Sequence, residues 1–305
     1  MKNKIFVSAL ILLLPILFTL LSGCNNEIKE NADETYLNLI SEWDNNRVEN
    51  LKDKKGWLNL AGLFWLKNGE NKFGSNKNND IVFPSGKADD FIGSFFLDNG
   101  NVTLKILEGV EVFSDDTLVT EIIVTPDTAQ VTTIMNHKSL SWHVIIRDDK
   151  IGIRLRDFES ELVKTFEGVE RFPVDTLWRI TAKYVAFETP QKIVVPNILG
   201  SFTEDESPGK IVFTKGGKNF TLLPILAGEN YFIIFADETS GIESYGAGRF
   251  LYAGVQNENN NVILDFNKAY NPPCAFTKYA TCPLPPKENY ISLAVTAGEK
   301  NWGNH

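Results

Sequence analysis

From Trp57 onward, apolar residues fall at alternate positions, and this constrains the fold more than any other feature of the chain. A period of two puts successive side chains on opposite faces of an extended strand, so each segment offers one apolar face to a core. Leu140–Asp157 is the clearest case. Leu140, Trp142, Val144 and Ile146 share one face, and Ser141, His143 and Ile145 share the other. On the following strand Ile151, Ile153 and Leu155 face one way and Arg154 and Arg156 the other. Matching the apolar faces requires a four-residue loop, Arg147–Lys150. That register sets His143 across from Arg154 and Ser141 across from Arg156. One face is then core, and the other is a small basic patch on a solvated strand face.

The same reasoning places strands at Trp57–Leu60, Phe64–Leu66, Asp80–Phe83, Gly93–Leu97, Asn101–Ile106, Val110–Phe113 and Leu118–Val124. Later strands are expected at Trp178–Phe187, Lys192–Val195, Gly209–Phe213, Asn219–Leu223 and Tyr231–Phe235, with 198–209 as an exposed acidic loop. Asp98-Asn99-Gly100 between alternating segments is a hairpin signal. Short strands with turn residues between them imply a mainly β chain. We expect two sandwich- or barrel-like halves, residues 33–165 and 166–305, with a soft boundary near Phe158–Pro173. Tyr36, Ile40, Trp43, Arg47 and Leu51 recur at helical spacing, giving one N-terminal amphipathic helix with Asp33 or Thr35 as its N-cap.

The first residues read as an export signal. Lys2 and Lys4 precede an apolar run from Ile5 to Leu20, and Leu21-Ser22-Gly23-Cys24 follows. The Cys after Leu-Ser-Gly resembles a bacterial lipobox. The resemblance implies a signal peptide over residues 1–23, cleavage before Cys24, acylation of its sulfur and a polar tether over 24–32. Such a chain is held on the cell envelope by its lipid anchor, facing the periplasm or the surface. The net charge of −9 excludes a nucleic-acid partner on electrostatic grounds.

Three cysteines are present, Cys24, Cys274 and Cys282. With Cys24 acylated, an even pair remains in an oxidising compartment, which favours a disulfide over free thiols. The spacing does not fit a zinc knuckle, so no metal is expected. No P-loop, dinucleotide fingerprint, Gly-x-Ser-x-Gly or His-Glu-x-x-His occurs, and no cofactor is expected.

The stretch 245–300 is the candidate site. Pro272-Pro273 and Pro283, Pro285 and Pro286 brace a loop carrying the two cysteines. Tyr245, Arg249, Asp265, Asn267, Tyr270, Asn271, Glu288, Asn289 and Glu299 surround it. Arg249 is expected to pair with Asp265 across neighbouring strands. These residues read either as a polar pocket for a small oxygen-rich ligand or partner, or as a buried network closing backbone hydrogen bonds. An enzymatic alternative makes the protein a hydrolase or lyase with Asp265, Glu288 or Tyr245 as acid/base; another makes it a purely structural envelope lipoprotein. His143, Arg154 and Arg156 form a secondary candidate patch for an anion.

Two resemblances add to this. Phe73-Gly74-Ser75, Asn79-Asp80-Ile81-Val82-Phe83-Pro84 and Val102-Thr103-Leu104 are loosely similar to a forkhead-associated β-sandwich. That family's Arg after the Gly and its later His are missing here, so the resemblance implies architecture and not phosphopeptide binding. Tyr245-Gly246-Ala247-Gly248-Arg249-Phe250, Asp265-Phe266-Asn267, Ala269-Tyr270-Asn271-Pro272-Pro273-Cys274, Cys282-Pro283-Leu284-Pro285-Pro286 and Ala297-Gly298-Glu299-Lys300 resemble the C-terminal signature of the bacterial domain-of-unknown-function 1684 family. Gly56-Trp57-Leu58 to Leu66 and Arg154-Leu155-Arg156-Asp157 resemble its earlier blocks. The resemblance implies an exported, β-rich protein and no assigned activity.

Overall fold

In the computed structural model the chain is described over residues 23–303, with side chains from 33 to 303. The expected signal peptide and the Cys24 side chain lie outside the described residues. Strand accounts for 44% of the chain and helix for 14%, so the fold is mainly β.

Helix α1 (Gly23–Lys52) opens the described chain. It continues upstream of Asp33 and Thr35, so neither caps it, and the backbone of the stretch expected as a tether is helical. Eleven strands follow: β1 (Leu60–Trp65), β2 (Gly69–Gly74), β3 (Ile81–Val82), β4 (Gly93–Asp98), β5 (Asn101–Ile106), β6 (Phe113–Ser114), β7 (Thr117–Leu118), β8 (Glu121–Val124), β9 (Met135–His137), β10 (Leu140–Arg147) and β11 (Lys150–Asp157). They form a six-stranded sheet ordered β1-β11-β10-β9-β6-β7 and a five-stranded sheet ordered β3-β2-β4-β5-β8. After a short helix α2 (Glu161–Thr165) come β12 (Arg179–Pro196), β13 (Phe202–Lys215), β14 (Lys218–Leu222), β15 (Ile225–Ala227), β16 (Asn230–Phe235), β17 (Arg249–Gly254) and β18 (Asn261–Asp265). These build a four-stranded sheet, β14-β13-β12-β18, and a three-stranded sheet, β15-β16-β17.

The β10–β11 hairpin has the expected register, with His143 opposite Arg154 and Ser141 opposite Arg156. Its apolar face enters a core shared by the first two sheets, where Trp142 meets Phe73 and Phe83 edge-on. Asn99 and Gly100 both take positive φ at the β4–β5 turn, which is what a tight hairpin turn demands. A second core, around Trp178, Phe213, Phe235 and Phe266, lies among the later strands.

Several strand expectations need correction; of Val110–Phe113, only Phe113 belongs to a strand. Residues 57–59 form a turn instead of a strand, because Leu58 N–H donates back to the Leu51 carbonyl and closes the chain onto the end of α1. Residues 69–74, Gly-Glu-Asn-Lys-Phe-Gly, form β2 although their apolar alternation is poor; the buried Asn71 amide holds the edge by bonding to backbone carbonyls. The segment 198–209 enters β13, where Phe202–Ser207 pairs with Gln191–Pro196 as a two-stranded arm. Most side chains along this part of the arm face solvent, so it carries a polar sequence that reads as loop.

Candidate functional site

Arg249 begins β17 and points inward with no exposure. It donates to Asp237 Oδ2 at 2.8 Å and to the carbonyls of Ala297 and Val295 at 2.5 and 2.9 Å. Asp237, just after the apolar strand β16, also accepts from Thr239 N–H and Oγ1 and from Val295 N–H. The partner of Arg249 is therefore Asp237, not Asp265 as the sequence reading expected. The wholly apolar 231–236 stretch before Asp237 was the available signal that this carboxylate sits at the edge of a core.

Asp265 instead accepts from Tyr36 Oη of α1 at 2.6 Å. Burial, and then the hydrogen bond to Asp265, push the Tyr36 phenol well above its ordinary range. Asn267 donates to Tyr36 Oη and to the Asp175 carbonyl, and its own oxygen accepts from Asp175 N–H. Asn271 N–H donates to Glu299 Oε2 at 2.7 Å, and its amide donates to the Lys300 carbonyl at 2.7 Å. Asn289 bridges Leu223 N–H, the Leu223 carbonyl and the Ile234 carbonyl, joining the loop to β16. Each of these amides satisfies backbone groups that loops leave without ladder partners. Glu288 stands exposed on a 3-10 turn, and Tyr245 packs half-buried with Phe166 and Phe276.

Helix α1 locks onto this network. Arg47 Nε donates to Glu299 Oε1 at 3.1 Å, its Nη2 to the Asn271 carbonyl at 2.9 Å, and its guanidinium lies 4.5 Å from the Tyr270 ring centre. Arg171 bridges Asp44 of the helix at 3.0 Å and the Asn267 carbonyl. Cys274 and Cys282 are disulfide-bonded, with Cα atoms 6.1 Å apart. Gly248, at φ +83°, approaches the molecule's own backbone: a Cβ there would lie 2.5 Å from the Phe235 carbonyl oxygen. The 245–300 signature thus forms a buried brace. Arg249, Asn267, Asn271, Asn289 and Glu299 have at most 1% of their surface in contact with solvent, so no ligand reaches them in this conformation.

Concavity and unpaired charge meet on the polar face of the β10–β11 hairpin. A cleft of about 430 Å³ there is lined by Lys54, Lys55, Asp127, Asn136, Ser141, His143 and Arg156. Arg156 donates to Asn59 Oδ1 at 2.6 Å and to the Gly56 carbonyl. Arg154, opposite His143 on β11 and 5% exposed, has one hydrogen bond, to Thr281 Oγ1 in the disulfide loop, and lies 6.0 Å from the Trp57 ring centre; its buried Nε has no hydrogen bond. Among the described residues, Arg154, Arg156, Lys54 and Lys55 make no ion pair; Asp127 is taken by Arg147 at 2.7 Å. Burial, followed by the charges of Arg154 and Arg156, lowers His143 to about 4, so its imidazole is neutral at pH 7. Burial also pulls Arg154 down to about 10.

The secondary patch is therefore recessed and partly covered by the disulfide loop, where the sequence reading expected a solvated strand face. Lys54, Lys55 and Asn136 join the patch without belonging to any motif in the sequence. The Lys54-Lys55 pair immediately after a helix was the one local signal.

None of the curated proteins compared matches this chain. A solution structure of an uncharacterized protein of Haloarcula marismortui is 30% identical over 46% of this chain and 80% of that one, with a TM-score of 0.39. The FhaA FHA domain, crystallised with an intracellular domain of another protein, is 12% identical over 31% of this chain and 97% of that one, with a TM-score of 0.23. A family model, protein of unknown function DUF1684, matches residues 164–300, leaving the blocks at 56–66 and 154–157 outside it. On that match, residues 164–300 belong to the DUF1684 family.

Proposed function

We propose that the protein binds a small anion, a carboxylate or phosphate compound, in the cleft over the β10–β11 hairpin, and does so as a lipid-anchored protein of the cell envelope. The observation that carries the reading is an excess of unpaired cations. Arg156, Lys54 and Lys55 line one recess, with Arg154 next to it opposite His143, and none of the four is in an ion pair among the described residues; the one carboxylate in the lining, Asp127, is held by Arg147, on a chain of net charge −9. A buried cation lacking a partner is costly, and an incoming anion relieves that cost. Guanidinium groups also offer the forked donors that carboxylate and phosphate oxygens accept. Ser141, Asn136 and neutral His143 add hydrogen-bonding groups that fix orientation.

The acid/base alternative has less support. Asp265 is held by Tyr36, Glu288 is solvent-exposed, and Tyr245 is packed against aromatic rings.

Calorimetric titration of the purified protein with inorganic phosphate, citrate and succinate tests the binding. We expect saturable binding of at least one, weakened by added salt and by Lys54→Ala/Lys55→Ala, two exposed substitutions that leave the fold intact. Absence of binding by all three, or an unaltered affinity in the double variant, would refute the anion site. Mass spectrometry of the protein from membranes, with and without Cys24→Ser, tests the anchor separately.

A further inference from the structure

A second cleft, of about 250 Å³, lies where α1 crosses the disulfide-loop side of the later sheets; it is lined by Trp43, Asn46, Arg47, Asn50 and Tyr270. Its chemistry is unlike that of the anion cleft. Arg47 is already engaged by Glu299 and the Asn271 carbonyl, and it lies across Tyr270. The remaining polar groups are neutral. Asn46 and Asn50 are exposed, stand one helical turn apart on one face of α1, and have no side-chain hydrogen bond among the described residues. Burial, the first cause, raises the Tyr270 phenol, which stays protonated as a donor.

The aromatic groups continue beyond the cleft in a row. Trp43 lies 6.3 Å from Tyr270 between ring centres. Tyr270 and Tyr252 are 6.4 Å apart and parallel within 11°. Tyr252 and Phe232 follow at 4.9 Å. Tyr252 is 50% exposed, although it belongs to a strand whose other large side chains are buried. A half-exposed ring aligned with others beside unpaired amides is a surface with both apolar faces and neutral hydrogen-bonding edges.

We infer that this cleft and the aromatic row form a binding site for a neutral oligosaccharide. A pyranose ring presents apolar C–H faces and a rim of hydroxyl groups. The C–H faces match Tyr252 and the side of Trp43 that Arg171 leaves open, and the hydroxyls match the paired donors and acceptors of the Asn46 and Asn50 amides, with the Tyr270 phenol, whose ring lies under Arg47, as a further donor. An anion finds no free cation here, because Arg47 has its carboxylate. A purely apolar ligand would leave the two amides desolvated and unpaired. The length of the aromatic row favours several sugar units over one. The site stands independently of the anion cleft.

The test is calorimetric titration of the full chain with chitotetraose, maltotetraose and cellotetraose, and with the corresponding monosaccharides. We expect at least one tetrasaccharide to bind about tenfold or more tightly than its monosaccharide. Asn46→Ala/Asn50→Ala and, separately, Tyr252→Ala should each weaken that binding severalfold with unchanged thermal unfolding, since all three side chains are exposed. Lys54→Ala/Lys55→Ala should leave it unaltered. No saturable binding by any tetrasaccharide, or affinity indifferent to both the Asn46/Asn50 and Tyr252 substitutions, would overturn the inference.

Discussion

Arg249 and Asp237 pair at 2.8 Å with neither side chain exposed to solvent. The pair ties the start of β17 to the end of β16 and, through the Val295 and Ala297 carbonyls, to the C-terminal segment. Removing one partner leaves a charge in a dry interior, which costs about 3–5 kcal/mol. Asp237→Asn keeps the shape and removes the charge, so we expect a loss of that size in urea unfolding. Arg249→Met/Asp237→Leu should cost clearly less than the two single changes added together, because the second substitution removes the orphan left by the first. Strictly additive losses would show that the two residues do not act as a pair.

The Arg47–Glu299 contact gives a second prediction. Glu299 has no exposure and accepts from Arg47 and from Asn271 N–H. Arg47→Met should therefore cost about 2–3 kcal/mol, while Tyr36→Phe, losing the phenol–carboxylate hydrogen bond and the one accepted from Asn267, should cost about 1–2 kcal/mol. Each should speed amide exchange in the turns of α1 around the substituted residue before it affects the β-strands. Exchange that rises uniformly across the chain would mean that α1 is not a separately docked element.

Reduction of the Cys274–Cys282 disulfide gives a third. The bridge closes a loop of sequence separation 8, for which chain entropy predicts a stabilisation of about 2–3 kcal/mol. We expect a lower unfolding midpoint in dithiothreitol, reproduced by Cys274→Ser/Cys282→Ser. The loop also carries Thr281, the lone hydrogen-bond partner of Arg154. Loosening it should weaken anion binding in the hairpin cleft as well, and an unaltered anion affinity in the reduced protein would separate the two.

Much of the fold was legible because period-two alternation is enforced wherever one strand face meets a core. The β10–β11 register followed from matching Trp142 with Leu155 and Val144 with Ile153, since a one-residue slip would bury Arg154 and Arg156 in the first core. Such reasoning fails where side chains rather than alternation hold the backbone, as with the Asn71 amide in β2, or where most of a strand faces solvent, as in Phe202–Glu206 of the β12–β13 arm, whose buried apolar side chains, Ile193 and Val195, come from the partner strand. The candidate site was half legible. Its polar residues do gather, but a sequence does not reveal that Asn271 and Asn289 bond to backbone, or that Arg249 meets a carboxylate 12 positions earlier. The cleft was obscured for the opposite reason. Lys54 and Lys55 line the same cleft as His143 because the chain folds back at Gly56, where a Cβ would lie 2.3 Å from the Leu51 carbonyl oxygen.

His143 supplies the pH prediction. Its imidazole falls to about 4 in the folded protein, through burial first and then Arg154 and Arg156, with Arg147 adding and Asp127 opposing. An unfolded histidine titrates near 6.5. Between those values the unfolded chain holds a proton that the folded chain lacks, so stability is fully present above about 6.5 and is lost as pH falls toward about 4. The loss is on the order of 2–3 kcal/mol. His143→Asn should flatten that part of the pH–stability curve. A bound anion reverses the local balance: it offsets the two guanidinium charges and raises the imidazole back toward its ordinary range. Anion binding should then take up a fraction of a proton and tighten as pH falls toward 5, in wild type but not in His143→Asn. Titrations in buffers of different ionisation enthalpy measure that uptake directly, and an observed heat independent of the buffer would remove His143 from the anion site.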